Sequence, residues 1–324
     1  MLINGIAGTT LKGLPQISAD DLNRLVPMKD AVEILRAAFS TYDFGNITVR
    51  TAHSVEAGNF LTMPAFSAEA VGMKMVGVAP GNRDSDLPTV HSVYALFNAR
   101  NLIPCAILDG NALTDLRTPA VSALATDLFA RRDASHLAII GSGVQAKGHL
   151  DAMLAVRSIS KLSVVSRNAQ TAADLVAYAL RMGLDDASVV DPDGLVEPDI
   201  ICCCTTSTEP VLHSSQVPDG CHVNAVGAFK ASMRELGGSL VRRGRLAVEE
   251  RRSALAEAGD LVLAANEGHF EAADIITDLQ EAVRGAVLRR GDQDVTVFKS
   301  VGLAFEDLAI ATEVFKRWQS VTSG

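Results

Sequence analysis

From residue 136 onward, short continuous apolar runs alternate with helix-length stretches whose apolar residues recur every three or four positions. "HLAII" precedes "VQAKGHLDAMLAV", and "KLSVVS" precedes "AQTAADLVAYALRMG". "DIICCCTT", "CHVNAVGA", "RLAVE" and "DLVLA" follow as further strand-like runs. Apolar strands separated by amphipathic helices predict a parallel sheet covered on both faces. The earlier part of the chain is patterned differently. Ser18 to Phe39 predicts one helix, with Leu22, Leu25, Val32, Leu35 and Phe39 in helical spacing and Ser18 or Asp20 as cap. Val49 to Pro104 predicts a meander of short strands such as "FLTMPAF", "GMKMVGV" and "HSVYALFNA", broken by Pro64, Gly72, Pro80-Gly81 and Pro88. Asp109 to Ala130 predicts a helix beginning near Thr114 or Asp115. "KSVGLAFEDLAIATEVFKRW" predicts a closing helix, and the first segment is the natural host for its apolar face.

Composition changes this picture little. The 324 residues, 48% hydrophobic and 21% charged, are ordinary for a globular chain and long enough for two domains. A net charge of −9 without a basic stripe argues against nucleic acid as a partner. Five cysteines, three of them adjacent at Cys202, Cys203 and Cys204, suit neither a disulfide framework nor a metal site. They read as small buried hydrophobes of a reducing compartment. "MLINGIAGTTLKGLPQ" has neither the basic nor the apolar region of a secretory leader. No apolar run approaches the roughly 18 residues of a membrane helix. A soluble, cytoplasmic protein without membrane contact is expected.

The chemistry starts at "HLAIIGSGVQAKGHL", His136 to Leu150. Gly141-x-Gly143-x-x-Ala146 follows a predicted strand and opens a predicted helix. The first glycine permits a tight turn, the second lets a pyrophosphate approach the backbone, and the third small residue lets helix and strand pack closely. The helix N-terminus then offers free N–H groups to phosphate. The next strand ends in Ser166-Arg167-Asn168, with no acid to hold a ribose 2′-hydroxyl. Arg167 suits a 2′-phosphate, so NADP(H) is expected as the preferred cofactor, with NAD(H) possible. The candidate cofactor-binding residues are Gly141, Ser142, Gly143, Val144, Gln145, Ser166, Arg167, Asn168, Thr205, Thr206, Val226 and Ser300.

Three cations earlier in the chain are candidates for a site: Arg50, Lys74 and Arg117. A lysine inside the apolar run "GMKMVGV" is costly unless it has a task or a partner. Arg117 has the planar fork that grips a carboxylate, but internal pairing with Asp109 or Asp115 would also account for it. His53 and His91 lie near these cations, and ordinary packing or exposure is the favoured reading of both over a role in a site. No metal-ligand spacing, nucleophile elbow or Cys/His arrangement is present. Glu306 and Asp307 open the last helix, as caps or as the lip of a site.

"LTMPAFS", "AILDGNALTDLRTPAVSALAT", "IIGSGVQAKGHL", "HVNAVGAFKASMREL" and "TVFKSVGLAFEDLA" together resemble the ornithine cyclodeaminase/mu-crystallin family, in order and over nearly the whole chain. The resemblance implies an α/β fold in which a doubly wound Rossmann sheet is inserted into a smaller α+β substrate and dimerisation domain. The domains are then 1–126, completed by 301–324, and 127–300. It implies a homodimer formed through the first domain's sheet, and a carboxylate pocket built from Arg50, Lys74 and Arg117, with Lys74 and Arg117 in catalysis. It also exposes two departures. Ornithine cyclodeaminases place a Glu where this chain has Leu61, and an Asp where it has Phe229. Without them, deamination and cyclisation of a diamine lack an acid/base pair. The resemblance therefore points to the mu-crystallin branch: an NAD(P)H-dependent reductase of small cyclic imino acids such as pyrroline- or piperideine-2-carboxylate. The alternatives are an ornithine cyclodeaminase, an amino-acid dehydrogenase of the same family, or a binder of NADPH and a small ligand without turnover.

Overall fold

The structure is a computed structural model that describes residues 13–84 and 87–322. Most of the segment on which the leader expectation rests lies outside the described residues. Contacts divide the chain into two units: residues up to Arg117 with those from Leu303, and Thr118–Gly302. The first division falls inside one continuous helix, earlier than the 126/127 position, because a helix carries no break in its pattern at which to divide it. The second falls after Gly302, two residues past the expected 300/301.

The first unit opens with strand β1 (Gln16–Ile17) and two helices, α1 (Ala19–Leu25) and α2 (Met28–Thr41). The single helix expected over 18–39 is broken because Pro27 has no N–H to donate and stands as the N-cap of α2. Ser18 caps α1 in a reciprocal box with Asp21. Strands β2 (Thr51–Val55), β3 (Gly58–Phe66), β4 (Ala70–Val78), β5 (Val90–Asn98) and β6 (Pro104–Asp109) follow as an antiparallel meander, and β1 adds to β6 in parallel. Helix α3 (Gly110–Phe129) begins four residues before Thr114. Asp109 accepts the backbone N–H of Ala112 and so caps it early.

The second unit carries eight parallel strands. Along the chain these are β7 (His136–Ile140), helix α4 (Val144–Val156), β8 (Lys161–Val165), helix α5 (Ala169–Arg181), β9 (Asp186–Val189), β10 (Ile200–Cys203), β11 (His222–Ala225), helix α6 (Gly238–Arg243), β12 (Arg245–Val248), helices α7 (Arg251–Glu257) and α8 (Gly259–Asn266), β13 (Ile275–Asp278), helix α9 (Leu279–Val283) and β14 (Thr296–Lys299). The strand order is β13-β12-β14-β11-β10-β7-β8-β9. The order reverses between β7 and β10, and in such sheets ligands bind outside the strand ends at that point. "DLVLA" is helical, in α8, and not a strand. A short apolar run has the same pattern in a buried helix as in a buried strand. The strand that pairs with both β12 and β11, β14, is "TVFK". Its Lys299 belongs to the strand, so the closing helix α10 (Ala304–Thr322) starts later than Lys299.

Helix α10 belongs to the first unit. It packs on α2 and across β3 to β6. Phe305 anchors it, edge-on to Phe39 at 4.8 Å and stacked on Tyr42 at 4.5 Å between ring centres.

Candidate active site

In the first unit, the strand register explains how distant cations share a face. Lys74 pairs with Met63 on one side and with Tyr94 on the other. Thr51 pairs with Thr62, so the next position, Arg50, comes level with Met63. Side chains alternate across a strand, and Arg50, Met63, Lys74 and Tyr94 therefore lie along one line of one face. Leu61 lies on the same face, two positions from Met63. Its side chain is apolar.

Lys74 is buried. Its Nζ donates to Thr114 Oγ1 at 3.1 Å and stands 2.8 Å from each carboxylate oxygen of Asp307. Arg117, also buried, donates to Glu306 Oε2 at 3.2 Å, and its Nε lies 3.5 Å from Asp307 Oδ1. Two cations thus face two carboxylates in a desolvated cluster, and the charge of Arg50 acts on it as a third cation. Burial pushes the Lys74 ammonium down to about 8. Asp307 opposes that shift, while Arg117 and Arg50 add to it. The phenol of Tyr94, fully buried and opposite Lys74 on the neighbouring strand, is pushed up by burial and by the charge of Asp307.

The "DGN" stretch at the start of α3 builds this arrangement. Asp109 caps the helix, Asn111 donates to the Val90 carbonyl and meets Ser92, and Gly110 sits where a Cβ would lie 2.7 Å from Ser92 Oγ. The helix start is thereby locked to β5. Thr114 and Arg117, three residues apart, then fall on one helical face. Glu306 and Asp307 are more than caps. Glu306 Oε2 does accept the N–H of Leu303, but both carboxylates are fully buried and hold the cations. The pairing of Lys74 and Arg117 with residues some 190 or more positions away has no local sequence signal.

In the second unit, the expected phosphate turn has the required geometry. Gly141 has φ +118°, and a Cβ there would lie 2.5 Å from the Cys204 carbonyl oxygen. A Cβ at Gly143 would meet nothing within 4 Å, which leaves the space a pyrophosphate would take. Gly143 caps α4 without a side-chain hydrogen bond, so the first N–H groups, from Val144 and Gln145 on, face that space. Ala146 is fully buried against the sheet. The residues present therefore fit a dinucleotide. At the end of β8, Ser142 Oγ lies 2.7 Å from Ser166 Oγ and 2.6 Å from Thr171 Oγ1. Asn168 caps α5, and Arg167 is exposed beside this hydroxyl cluster.

Thr205, Thr206, Val226 and Ser300 all follow the C-terminal ends of strands, β10, β11 and β14 respectively. Thr206 is exposed, while Val226 and Ser300 are buried and donate their N–H groups to Cys203 and Ala225. Thr205 is held by Glu235, a residue that sequence reasoning left unassigned although it stands in the quoted "HVNAVGAFKASMREL" block. Phe229 is half-buried in the loop after β11, with Lys230 Nζ 5.6 Å from its ring centre. Among the described residues no group of histidines, cysteines and carboxylates could hold a metal ion, and no helix is long and apolar enough to cross a membrane.

Comparison with known proteins agrees over almost the full length. The family model described as "Ornithine cyclodeaminase/mu-crystallin family" matches residues 17–322. A Delta(1)-pyrroline-2-carboxylate reductase of Bacillus cereus is 35% identical over 311 residues, 93% of this chain and 95% of that protein. The Delta(1)-pyrroline-2-carboxylate reductase of Thermococcus litoralis, solved in complex with NADH and L-proline, superposes with a TM-score of 0.90 at 32% identity, covering 95% of this chain and 98% of that one. An archaeal alanine dehydrogenase dimer with bound NAD also superposes with a TM-score of 0.90, at 28% identity over 95% of this chain and 97% of that one.

Proposed function

The chain belongs to the ornithine cyclodeaminase/mu-crystallin family, and on that premise we propose that it is an NAD(P)H-dependent reductase of small cyclic imino acids. Pyrroline- and piperideine-2-carboxylate are the expected substrates. The observation that carries this reading is the buried cluster of Lys74, Arg117, Glu306 and Asp307 with an apolar Leu61 beside it. The site has cations for a carboxylate and a proton source, but not the acid a cyclodeaminase uses on its substrate amine.

Arg50 and Arg117 clamp the substrate carboxylate, Arg117 being held in orientation by Glu306. Lys74, protonated at neutral pH and lowered toward it by burial, gives a proton to the ring nitrogen as the C=N bond is reduced. Asp307, paired with Lys74, offsets the charge of the ammonium before transfer. The chemistry that a bound reduced nicotinamide would supply is the hydride for the imine carbon. Gly141, Ser142, Gly143, Val144 and Gln145 would hold its pyrophosphate, and Thr205, Thr206, Val226 and Ser300 would border its reactive end.

The preferred cofactor is NADP(H). Arg167 and the hydroxyls of Ser142, Ser166 and Thr171 suit a 2′-phosphate, and no acid follows β8 to claim a free 2′-hydroxyl. The NADH and NAD bound by the two structural relatives keep NAD(H) as an accepted second cofactor.

The working form is a homodimer. Val55, Phe60 and Val93 are exposed on the sheet face opposite Lys74, and a second copy would cover them. The alanine dehydrogenase relative is itself a dimer. Five free thiols, four of them buried, suit a reducing, cytoplasmic compartment.

The test is cofactor consumption with each cyclic imino acid. Steady oxidation of NADPH or NADH with formation of the cyclic amino acid is expected. No turnover between mildly acidic and mildly alkaline pH overturns the reading. Ammonia release from ornithine without net cofactor turnover would establish a cyclodeaminase instead. Turnover with pyruvate and ammonia alone would establish an alanine dehydrogenase.

A further inference from the structure

Glu235 is fully buried in the second unit and belongs to none of the elements named above. Its Oε1 accepts the Thr205 N–H at 2.7 Å and the Thr205 hydroxyl at 2.8 Å. Its Oε2 accepts the Gly227 N–H at 2.7 Å. One carboxylate therefore ties the loop after β10 to the loop after β11. The two loops are also in close contact, since a Cβ on Gly227 would lie 1.8 Å from the Thr205 carbonyl oxygen. Glu235 is fixed in turn by Asp260 at the start of α8, whose Oδ1 accepts the N–H groups of Glu235 and Leu236 at 2.7 and 2.8 Å. Asp260 Oδ2 lies 3.0 Å from Lys299 Nζ at the end of β14, and Lys299 also donates to the Ala225 carbonyl at 3.1 Å. This chain of buried charges runs under the C-terminal ends of β10, β11 and β14.

We infer that Glu235 is a positioning residue for the nicotinamide half of the cofactor, and that only its ionised form holds the two strand-end loops in the binding arrangement. The inference rests on the cofactor reading above. Three donors converge on two carboxylate oxygens, and a protonated or amide side chain offers too few acceptors for all three. One loop N–H then loses its buried partner. The charged and titratable groups that face Glu235 are Lys299 from β14, Asp260 from α8, and the Cys203 and Cys204 thiols at the end of β10. Burial pushes the Glu235 carboxyl up to about 7. Asp260 adds to the rise, while Lys299 and the Thr205 hydrogen bonds oppose it. The binding arrangement is thus complete above neutral pH and is lost as pH falls below it.

The experiment is equilibrium binding of NADH, by its fluorescence, and of ADP-ribose, which lacks the nicotinamide, between pH 8.5 and 6.0. For NADPH the matched fragment is 2′-phospho-ADP-ribose, so that titration of the 2′-phosphate cancels. The wild-type dissociation constant for the full dinucleotide should rise about tenfold toward pH 6.0, while that for the fragment changes less than twofold. Glu235→Gln should bind the dinucleotide about tenfold more weakly at pH 8.5, with no further pH dependence, and should keep fragment affinity. A variant with wild-type affinity and pH profile overturns the inference, as does parallel weakening of dinucleotide and fragment. If the variant fails to fold, the wild-type comparison decides alone, and equal pH shifts for dinucleotide and fragment reject the role. Absence of binding by every nucleotide at every pH instead overturns the cofactor reading itself.

Discussion

Lys74 Nζ stands 2.8 Å from both oxygens of Asp307, a pair brought together from a central strand and from the last helix and wholly removed from solvent. The pairing makes Lys74 a usable acid. Burial alone would push its proton off, and the carboxylate keeps the proton on until about pH 8.

If Lys74 donates the proton, the rate of imine reduction falls as pH rises through about 8, because the ammonium is lost there. Lys74→Met should lower kcat by roughly a hundredfold or more, with a smaller change in KM. Asp307→Asn removes the group that holds the proton, so the alkaline limb should move to lower pH. Initial-rate pH profiles of the three proteins check this. A limb that stays in place in Asp307→Asn contradicts the assignment.

The two glycines of the phosphate turn separate stability from binding. Gly141→Ala puts a Cβ into the Cys204 carbonyl at a positive φ, and should lower stability by about 1–3 kcal/mol. Gly143→Ala meets nothing in the protein and should leave stability within about 0.5 kcal/mol. It should still weaken dinucleotide binding about tenfold or more, by occupying space meant for the pyrophosphate. Thermal melts and nucleotide titrations of both variants distinguish the two effects. A Gly143→Ala protein that binds normally would remove the turn from the cofactor site.

Arg167→Ala should reduce kcat/KM with NADPH by roughly ten- to a hundredfold and leave the value with NADH nearly unchanged. The prediction follows from the proposed pairing of the exposed Arg167 with a 2′-phosphate, which NADH lacks. Parallel assays with the two cofactors decide. Equal losses would mean that Arg167 does not read the phosphate.

Two buried histidines weaken the fold toward acid pH. Burial pushes His149 down to about 4, against the Gln145 carbonyl it meets at 2.7 Å. Burial, with the charge of Arg289, pushes His222 down to about 3. Between these values and the ordinary 6.5, the unfolded chain binds two protons that the native chain does not. Stability therefore falls as pH falls, by about 2.7 kcal/mol per pH unit from the pair. Glu235 acts in the opposite direction between 4.5 and about 7, where the native state holds one extra proton. The three groups together leave about 1.4 kcal/mol per unit near pH 5.5. Urea unfolding as a function of pH measures the slope. His149→Gln should remove one proton's share of it, and an unchanged slope would count against this account.

Local pattern was enough for the phosphate turn and for the meander of the first unit. Gly141, Gly143 and Ala146 each answer a short-range demand, for a turn, an open approach and a close contact, and these are written in consecutive residues. Pattern was not enough for "DLVLA", because helix and strand share a short buried run, or for β14, whose four residues carry no helix or turn signal of their own. Arg50, Lys74 and Arg117 stood out as costly charges, but their partners did not. Glu306 and Asp307 read as helix caps or as the lip of a site, because acids at a helix start serve as caps when nothing else is near and no local signal names their partners.

The sequence by itself determined the change from a meander to alternating strands and helices, the Gly141-x-Gly143-x-x-Ala146 turn between a strand and a helix, and the family. Tertiary structure alone decided which charges meet. The sheet register put Arg50, Lys74 and Tyr94 on one line, α10 brought two carboxylates onto it, and the loops after β10 and β11 closed on Glu235. Such contacts depend on long-range burial, which turns a modest surface attraction into a strong constraint. No spacing along the chain records where a buried charge finds its partner.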